Sequence, residues 1–279
     1  MNDLYPRLRA ALNRVYFALG FALGARRTLV GASYFRRRLK GSDTLFVLAP
    51  GQSITRLSPD AFKHIAGYDS VGINSFVVHS FKPTFALLET HPRSLGLLDF
   101  MVAHPESTVG LQVLYKGYCS LRASKLIDFT SNLRQMRAMH SVRPWLIKEG
   151  YANDIGAGAT MMELLDDDRD DRIYNSLGSV VYCLGLAYKA KYERVIICGV
   201  DFSADYFYDH NPEFAIDAEK YPFINRVSLI PADPGMTGRV MEAIKETTRL
   251  FTETGRGTVY QLECDGALAD ALPAYPLEA

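Results

Sequence analysis

Residues 194–202 read RVIICGVDF. Val195 to Cys198 are apolar without a break, rich in β-branched residues, and the run stops at Gly-Val-Asp. A strand with one wet face alternates apolar and polar residues, whereas a continuous run is buried on both faces. The rest of the chain must therefore supply cover on two sides. Other short apolar runs of the same kind are TLFVLA (44–49), SVGIN (70–74), PTFALLE (83–89), STVGLQVL (107–114) and GTVYQL (257–262). Helical patterns separate them. SPDAFKHIA (58–66) opens with Ser58, then Pro59 and Asp60 in the first turn, a helix start. SLGSVVYCLGLAYKAKY (176–192) has the spacing of a buried helix. TGRVMEAIKETTRLFTET (237–254) is amphipathic, with Gly255 as its stop. Residues 120–140 are polar with scattered apolar positions and read as helix or irregular insertion.

Strands separated by helices imply an α/β chain with a mostly parallel, Rossmann-like sheet and helices on both faces. In such sheets the ligand sits beyond the carboxyl ends of the strands. Residues 203–236 break the rhythm just there, being rich in Tyr, Asp and Pro and weakly periodic. A loop of that length in a compact domain is uncommon and is usually functional; it reads as a lid. The expected organisation is an N-terminal segment, 1–42; an α/β domain, 43–202 with 237–279; and the lid, 203–236.

The charge balance narrows the function. Lys and Arg number 31, as do Asp and Glu, so a global electrostatic case for nucleic-acid binding fails. The four cysteines, Cys119, Cys183, Cys198 and Cys264, form no metal-type pairs and read as reduced thiols in a cytoplasmic protein. No apolar stretch reaches the ~18 residues of a membrane-spanning helix. Before Asp43, however, stand nine basic residues: Arg7, Arg9, Arg14, Arg26, Arg27, Arg36, Arg37, Arg38 and Lys40, against one acid, Asp3. Among them lies VYFALGFALGA (15–25), and the arginines that follow it argue against an export signal. Two readings stand: a helix lying in an anionic membrane surface at the inner face of the cell membrane, or one packed on the core or on another subunit. FRRRLK (35–40) tilts toward the membrane, since three adjacent arginines cannot all be buried.

Three constellations carry chemistry. In LFVLAPGQSI (45–54), Gly51 permits a tight turn and close approach of a ligand, and Ser53 offers a hydroxyl and an amide to an anion; an ordinary strand-to-helix turn is the plainer alternative. Asn74 ends a strand in the same layer, and its amide suits a pyrimidine edge or a sugar hydroxyl; a turn-capping asparagine is the alternative. Gly178 and Ser179 open the buried helix, where amides are free for a phosphate. Asp201, at the end of the best strand, would orient the lid or a ligand hydroxyl. A small-residue packing seam is the alternative for this third group.

Taken in order along residues 44–262, these pieces resemble the bacterial sialyltransferases that use CMP-activated sialic acid to extend lipooligosaccharide, and relatives using other activated acidic sugars. The part most similar to that family is SVVYCLGLAYKAKYERVIICGVDF (179–202), while 95–170 carries no strong motif. The resemblance implies a single-domain glycosyltransferase variant of the α/β fold. It implies nucleotide contacts at Gly51, Ser53 and Asn74 and a phosphate contact at Ser179 beside Gly178. Pro50 stands where the family has an asparagine in the first turn, and Glu89–His91 where it has another. The family's lid provides two tyrosines for the leaving phosphate; Ser203 occupies the first position, and Tyr206 and Tyr208 are nearby substitutes. The family's general base is a histidine just before the helix that begins near Thr237. None stands there; Asp233 is the closest basic group and His210 a lid alternative.

The implied chemistry is an inverting displacement of CMP by an acceptor hydroxyl, with a base taking the proton and tyrosine hydroxyls meeting the departing phosphate. It needs no metal or other cofactor. The donor would be a CMP-activated sialic acid, another nonulosonic acid or Kdo. The acceptor would be a lipid-linked or oligosaccharide surface glycan, as in lipopolysaccharide biosynthesis. Relatives of this kind often form homo-oligomers, but no segment reads as a specific interface. A rival is a metal-dependent transferase of nucleotide-diphosphate sugars using the acidic run ELLDDDRDD (163–171). Another is a binder of nucleotide or glycan that kept the fold without the base. A dinucleotide oxidoreductase is disfavoured, because no Gly-x-Gly-x-x-Gly follows the first strand.

Overall fold

The computed structural model describes residues 29–89, 92–116, 134–136, 139, 142–147, 149–150, 173–174, 178–202, 206–209, 234–262 and 268–277. Its strands are β1 (Leu29–Val30), β2 (Thr44–Leu48), β3 (Asp69–Ile73), β4 (Phe85–Glu89), β5 (Leu111–Lys116), β6 (Val142–Ile147), β7 (Glu149–Gly150), β8 (Ile173–Tyr174), β9 (Arg194–Cys198) and β10 (Thr258–Gln261). Eight of them form one sheet in the order β1-β6-β5-β4-β3-β2-β9-β10, and every pairing is parallel. The remaining two, β7 and β8, pair with each other, also in parallel. The helices are α1 (Ala32–Arg38), α2 (Pro59–Ile65), α3 (Pro92–Ala103), α4 (Ser179–Lys189) and α5 (Pro234–Glu253).

The unbroken apolar run of β9 has its reason in the layers. Val195 and Ile197 join one buried cluster with Leu45, Val47, Phe35 of α1, most of α4, and Val240, Ile244 and Phe251 of α5. Ile196 and Cys198 point the other way, into a cluster with Phe46, Leu48, Ile65 of α2 and Phe100 of α3. Helices therefore cover both faces. Each such side chain removed from water contributes about 1.5–3 kcal/mol. The chain runs from β2 outward through β3, β4, β5 and β6, then returns to place β9 and β10 on the other side of β2. The reversal at β2 and β9 is the topological switch point, and loops leaving the carboxyl ends around it form the natural crevice.

Local signals shape the elements around that crevice. The Ser58 hydroxyl accepts from the Ala61 N–H at 3.1 Å, with Pro59 in the first turn of α2. α5 ends before Gly255, whose φ is +63°.

Three expectations need correction. The strand sought at 107–114 starts at Leu111, because Pro105–Ser107 forms a 3-10 turn ahead of it. β6, α1 and α3 have no counterpart among the expected elements. β6 carries Pro144, a residue that argues against a central strand in the sequence; among the described residues β1 pairs with Leu146 and Ile147 alone. The division at residue 42 also falls too late. β1 extends the sheet, and α1 buries Ala32 and Phe35 in the main core, with the Phe35 ring 5.0 Å from that of Phe85. Arg36, Arg37 and Arg38 fill the last turn of α1, where cations favour the carbonyl end of a helix. A sheet-packed helix thus accounts for FRRRLK without a membrane. Residues 1–28, with the apolar run 15–25, lie outside the described residues. Among the described residues no helix is long and apolar enough to cross a membrane.

Candidate functional site

The first turn follows β2 directly. Pairing between β2 and β9 continues past both strands: the Ala49 N–H donates to the Cys198 carbonyl at 2.8 Å and the Gly51 N–H to the Gly199 carbonyl at 2.9 Å. A side chain at Gly51 would run into the Gly199 carbonyl and the Asp201 carboxylate. The glycine is needed for this closure, a packing reason for it that stands apart from any ligand. The Ser53 N–H donates to Asp201 Oδ2 at 2.7 Å, and the Ser53 hydroxyl donates to Asp201 Oδ1. Ser53 is buried, so both groups expected to meet an anion are taken up by a carboxylate. A second anion at that amide would face Asp201 at close range. Ser53 and Asp201 therefore act together as a clamp on the turn. Phe202, the next residue, holds φ at +50°, an uncommon backbone for a bulky side chain.

The root of the expected lid seats on this turn. Gly51 and Tyr206 form an antiparallel bridge, and the Phe207 N–H donates to the Pro50 carbonyl at 3.1 Å. The Tyr206 and Tyr208 rings stack 5.3 Å apart. Tyr206 is half-buried, whereas Tyr208 is buried and hydrogen-bonds the Ser75 side chain. Burial pushes the Tyr208 phenol far up, the Ser75 bond works against that, and neighbouring Tyr206 and Asp209 add to it. Its hydroxyl stays protonated. Tyr208 thus packs beside the Asn74 turn, and Tyr206 is the tyrosine with an accessible face.

Asn74 ends β3 and opens a 3-10 turn, Asn74–Val78, with φ at +48°. Asparagine tolerates this left-handed backbone better than most residues. Its Nδ2 donates to the Ser179 hydroxyl at 3.4 Å, a contact between residues 105 apart in sequence. Ser179 is the first residue of α4 and is 9% exposed. Gly178 before it holds φ at +109°, which a side chain would oppose, and as a glycine this N-cap residue brings no side chain of its own to the first amides. The amino end of α4 therefore presents amides toward the Asn74 turn, with the helix dipole behind them.

Two groups here escape a reading of the sequence. Lys116 ends β5, is 4% exposed, and lies with Nζ 5.6 Å from the Tyr182 ring centroid. In LQVLYK it reads as an ordinary lysine at a strand end. His79 follows the Asn74 turn and stacks on Phe76, 5.1 Å apart and 13° from parallel, with the Phe207 ring edge-on at 5.2 Å. Burial lowers its pKa to about 4, and its Nδ1 accepts the Phe81 N–H at 2.8 Å. This neutral ring supports the floor under the 206–209 segment.

The other expected site residues, Asp233 and His210, lie outside the described residues, as do Ser203, His91 and the acidic run 163–171. Among the described residues no group of three His, Cys, Asp or Glu is placed to hold a metal ion.

No protein-family model matches the chain, and no curated protein matches it. Solved structures do. The chain is similar to an alpha-2,3-sialyltransferase from Campylobacter jejuni in apo form, with 17% identity, 86% of this chain and 83% of that one covered, and a TM-score of 0.47. It is also similar to the sialyltransferase CstII from Campylobacter jejuni in complex with cytidine-5'-monophosphate, at 16% identity, with 85% and 87% covered and a TM-score of 0.45. The same sialyltransferase in complex with the substrate analogue CMP-3FNeuAc is 15% identical, with 84% and 86% covered and a TM-score of 0.43.

Proposed function

We propose that this protein is a glycosyltransferase that moves an acidic sugar from a CMP donor to a glycan acceptor. The observation carrying the proposal is the meeting of Asn74 and Ser179 across 105 residues at the carboxyl edge of the sheet, at the amino end of α4. A nucleoside monophosphate needs both things found there: an amide that donates and accepts for a base or ribose, and a helix amino end for one phosphate.

In this reading the Asn74 amide holds the cytidine, and the Ser179 hydroxyl and α4 amides hold the phosphate. Tyr206 donates to the phosphate oxygens as the anomeric carbon–oxygen bond breaks. The acceptor hydroxyl attacks the anomeric carbon from the opposite side, which inverts it, and Asp233 or His210 takes the proton. The Ser53–Asp201 clamp keeps the first turn as a wall of the crevice. The reaction requires no metal, the donor sugar is a sialic acid, a related nonulosonic acid or Kdo, and the acceptor is a bacterial surface glycan. Arg7, Arg9, Arg14, Arg26 and Arg27, ahead of the sheet, fit an acidic or lipid-linked acceptor at the cytoplasmic face of the membrane.

The test is calorimetry with CMP, UDP and GDP, followed by donor hydrolysis with EDTA present. Binding of CMP over the diphosphates, with EDTA-insensitive hydrolysis of a CMP-sugar that Asn74→Ala abolishes, is the expected outcome. A protein that binds no CMP, or whose hydrolysis is unchanged by Asn74→Ala, sinks the reading.

A further inference from the structure

A buried lysine outside the expected site closes a strand at this edge of the sheet. Lys116 closes β5, and the alternation along that strand puts it on the face of Leu114, which packs in the core beneath α4. Its Nζ faces the Tyr182 ring, and Tyr182 lies one helical turn from Ser179. The Cys183 thiol, pushed up to about 12 by burial, is drawn the other way by the same ammonium. On β4 the register partner of Lys116 is Glu89. From β3 to β5 the sheet spans roughly 10 Å, so Asn74, Glu89 and Lys116 close successive strands under the amino end of one helix.

Buried lysines are held by partners or serve ligands, and the Tyr182 ring is one such partner. The position is what distinguishes this one. A fixed positive charge stands beneath the first turns of α4, whose amino end is itself positive, so the two fields add at one edge of the crevice. A neutral ligand gains nothing from that arrangement.

We propose that Lys116 is the group that holds the anionic oxygens of the donor, those of its phosphate or of its sugar carboxylate, and thereby selects charged donors. This rests on the reading of the crevice as a CMP-sugar site. The experiment is calorimetry on the full chain and on Lys116→Met and Lys116→Arg, with cytidine, CMP and CMP-sialic acid as probes. Loss of a charge-assisted contact predicts about a tenfold or greater weakening in Lys116→Met. If CMP and CMP-sialic acid both weaken while cytidine does not, Lys116 meets the phosphate. If only CMP-sialic acid weakens, it meets the carboxylate. Lys116→Arg retains most of the affinity in either case. Unchanged affinities for all three probes in folded Lys116→Met overturn the proposal and leave Lys116 a structural residue. Equal weakening of all three, cytidine included, overturns it too. A wild-type chain that binds none of the probes overturns the site reading itself. Should Lys116→Met not fold, Lys116→Gln carries the same comparison.

Discussion

Two aspartates hold loops at opposite ends of the sheet, and they do it differently. Asp69 begins β3 at the amino end. Its Oδ2 accepts the Gly41 N–H at 2.8 Å, the Ser42 N–H at 3.1 Å and the Tyr192 hydroxyl at 2.7 Å, with the residue 4% exposed. Lys40 covers Tyr192, its Nζ 4.9 Å from the ring centroid. Asp201 lies past β9 at the carboxyl end, is half-buried, and serves a single residue, Ser53. The residue after Asp201, Phe202, holds a left-handed backbone. A carboxylate gathering amides is the same device in both places. At depth, with three donors from two segments far apart in sequence, it locks. At the crevice edge, beside strained backbone, it shapes a wall that ligand chemistry can use.

Removing the deeper carboxylate is the largest blow. Asp69→Ala leaves the buried Tyr192 hydroxyl without its acceptor, at about 1–3 kcal/mol, and takes the acceptor from the N–H groups of exposed Gly41 and half-buried Ser42, where water softens the loss. A loss of about 3 kcal/mol in urea unfolding is expected. A loss under about 1 kcal/mol would show that the amino-end knot is no lock.

Acid is the next lever, and it acts on the carboxyl half. His79 has its pKa lowered by burial from 6.5 to about 4. The unfolded chain binds that proton near pH 6.5 while the folded chain does not until about pH 4. The unfolded state therefore carries more protons in that window, and stability falls as pH drops from 6.5 to 4, then levels. The expected total is about 2–3 kcal/mol. Protonation also ends the acceptance of the Phe81 N–H at Nδ1. His79→Phe should flatten the pH profile between these limits; an unchanged slope would assign it to other groups.

The two halves differ in legibility as well. β9 is readable because both its faces are buried, so its composition carries its environment. The start of α2 is readable because Ser58, Pro59 and Asp60 act on their own helix. Ser53 and Asp201 each look like ligand groups in the sequence, and the structure pairs them with each other. Their contact spans 148 residues, and nothing local to either announces the other. β6 is hidden by Pro144, which speaks against a strand inside a sheet, while its pairing with β5 is a long-range fact that no local signal announces. Lys116 gives no signal of its own, because one lysine at a strand end is ordinary until α4 is folded above it.

Asp201→Ala tests the shallower clamp. With one residue's donors at stake, and water able to reach a half-buried site, the cost in stability is about 1–2 kcal/mol. CMP affinity should fall about fivefold as the first turn loosens. If Asp201→Ala destabilises as much as Asp69→Ala in the same urea series, the contrast between lock and wall collapses.

The smallest expected effect on stability, and the sharpest on function, is at Ser179. Its hydroxyl meets Asn74 Nδ2 at 3.4 Å, near the long limit for a hydrogen bond. A contact so long contributes little to folding, and Ser179→Ala should cost no more than about 0.5 kcal/mol. Catalytic-site bonds of this length are often ones that tighten only when the ligand arrives. Ser179→Ala should then weaken CMP binding about fivefold and leave cytidine binding unchanged, because in the proposed reading the lost hydroxyl meets the phosphate. Equal weakening of both would place Ser179 against the base or ribose. A large loss of stability with no change in either affinity would make the Asn74–Ser179 contact a structural tie, of the same kind as the Asp69 knot.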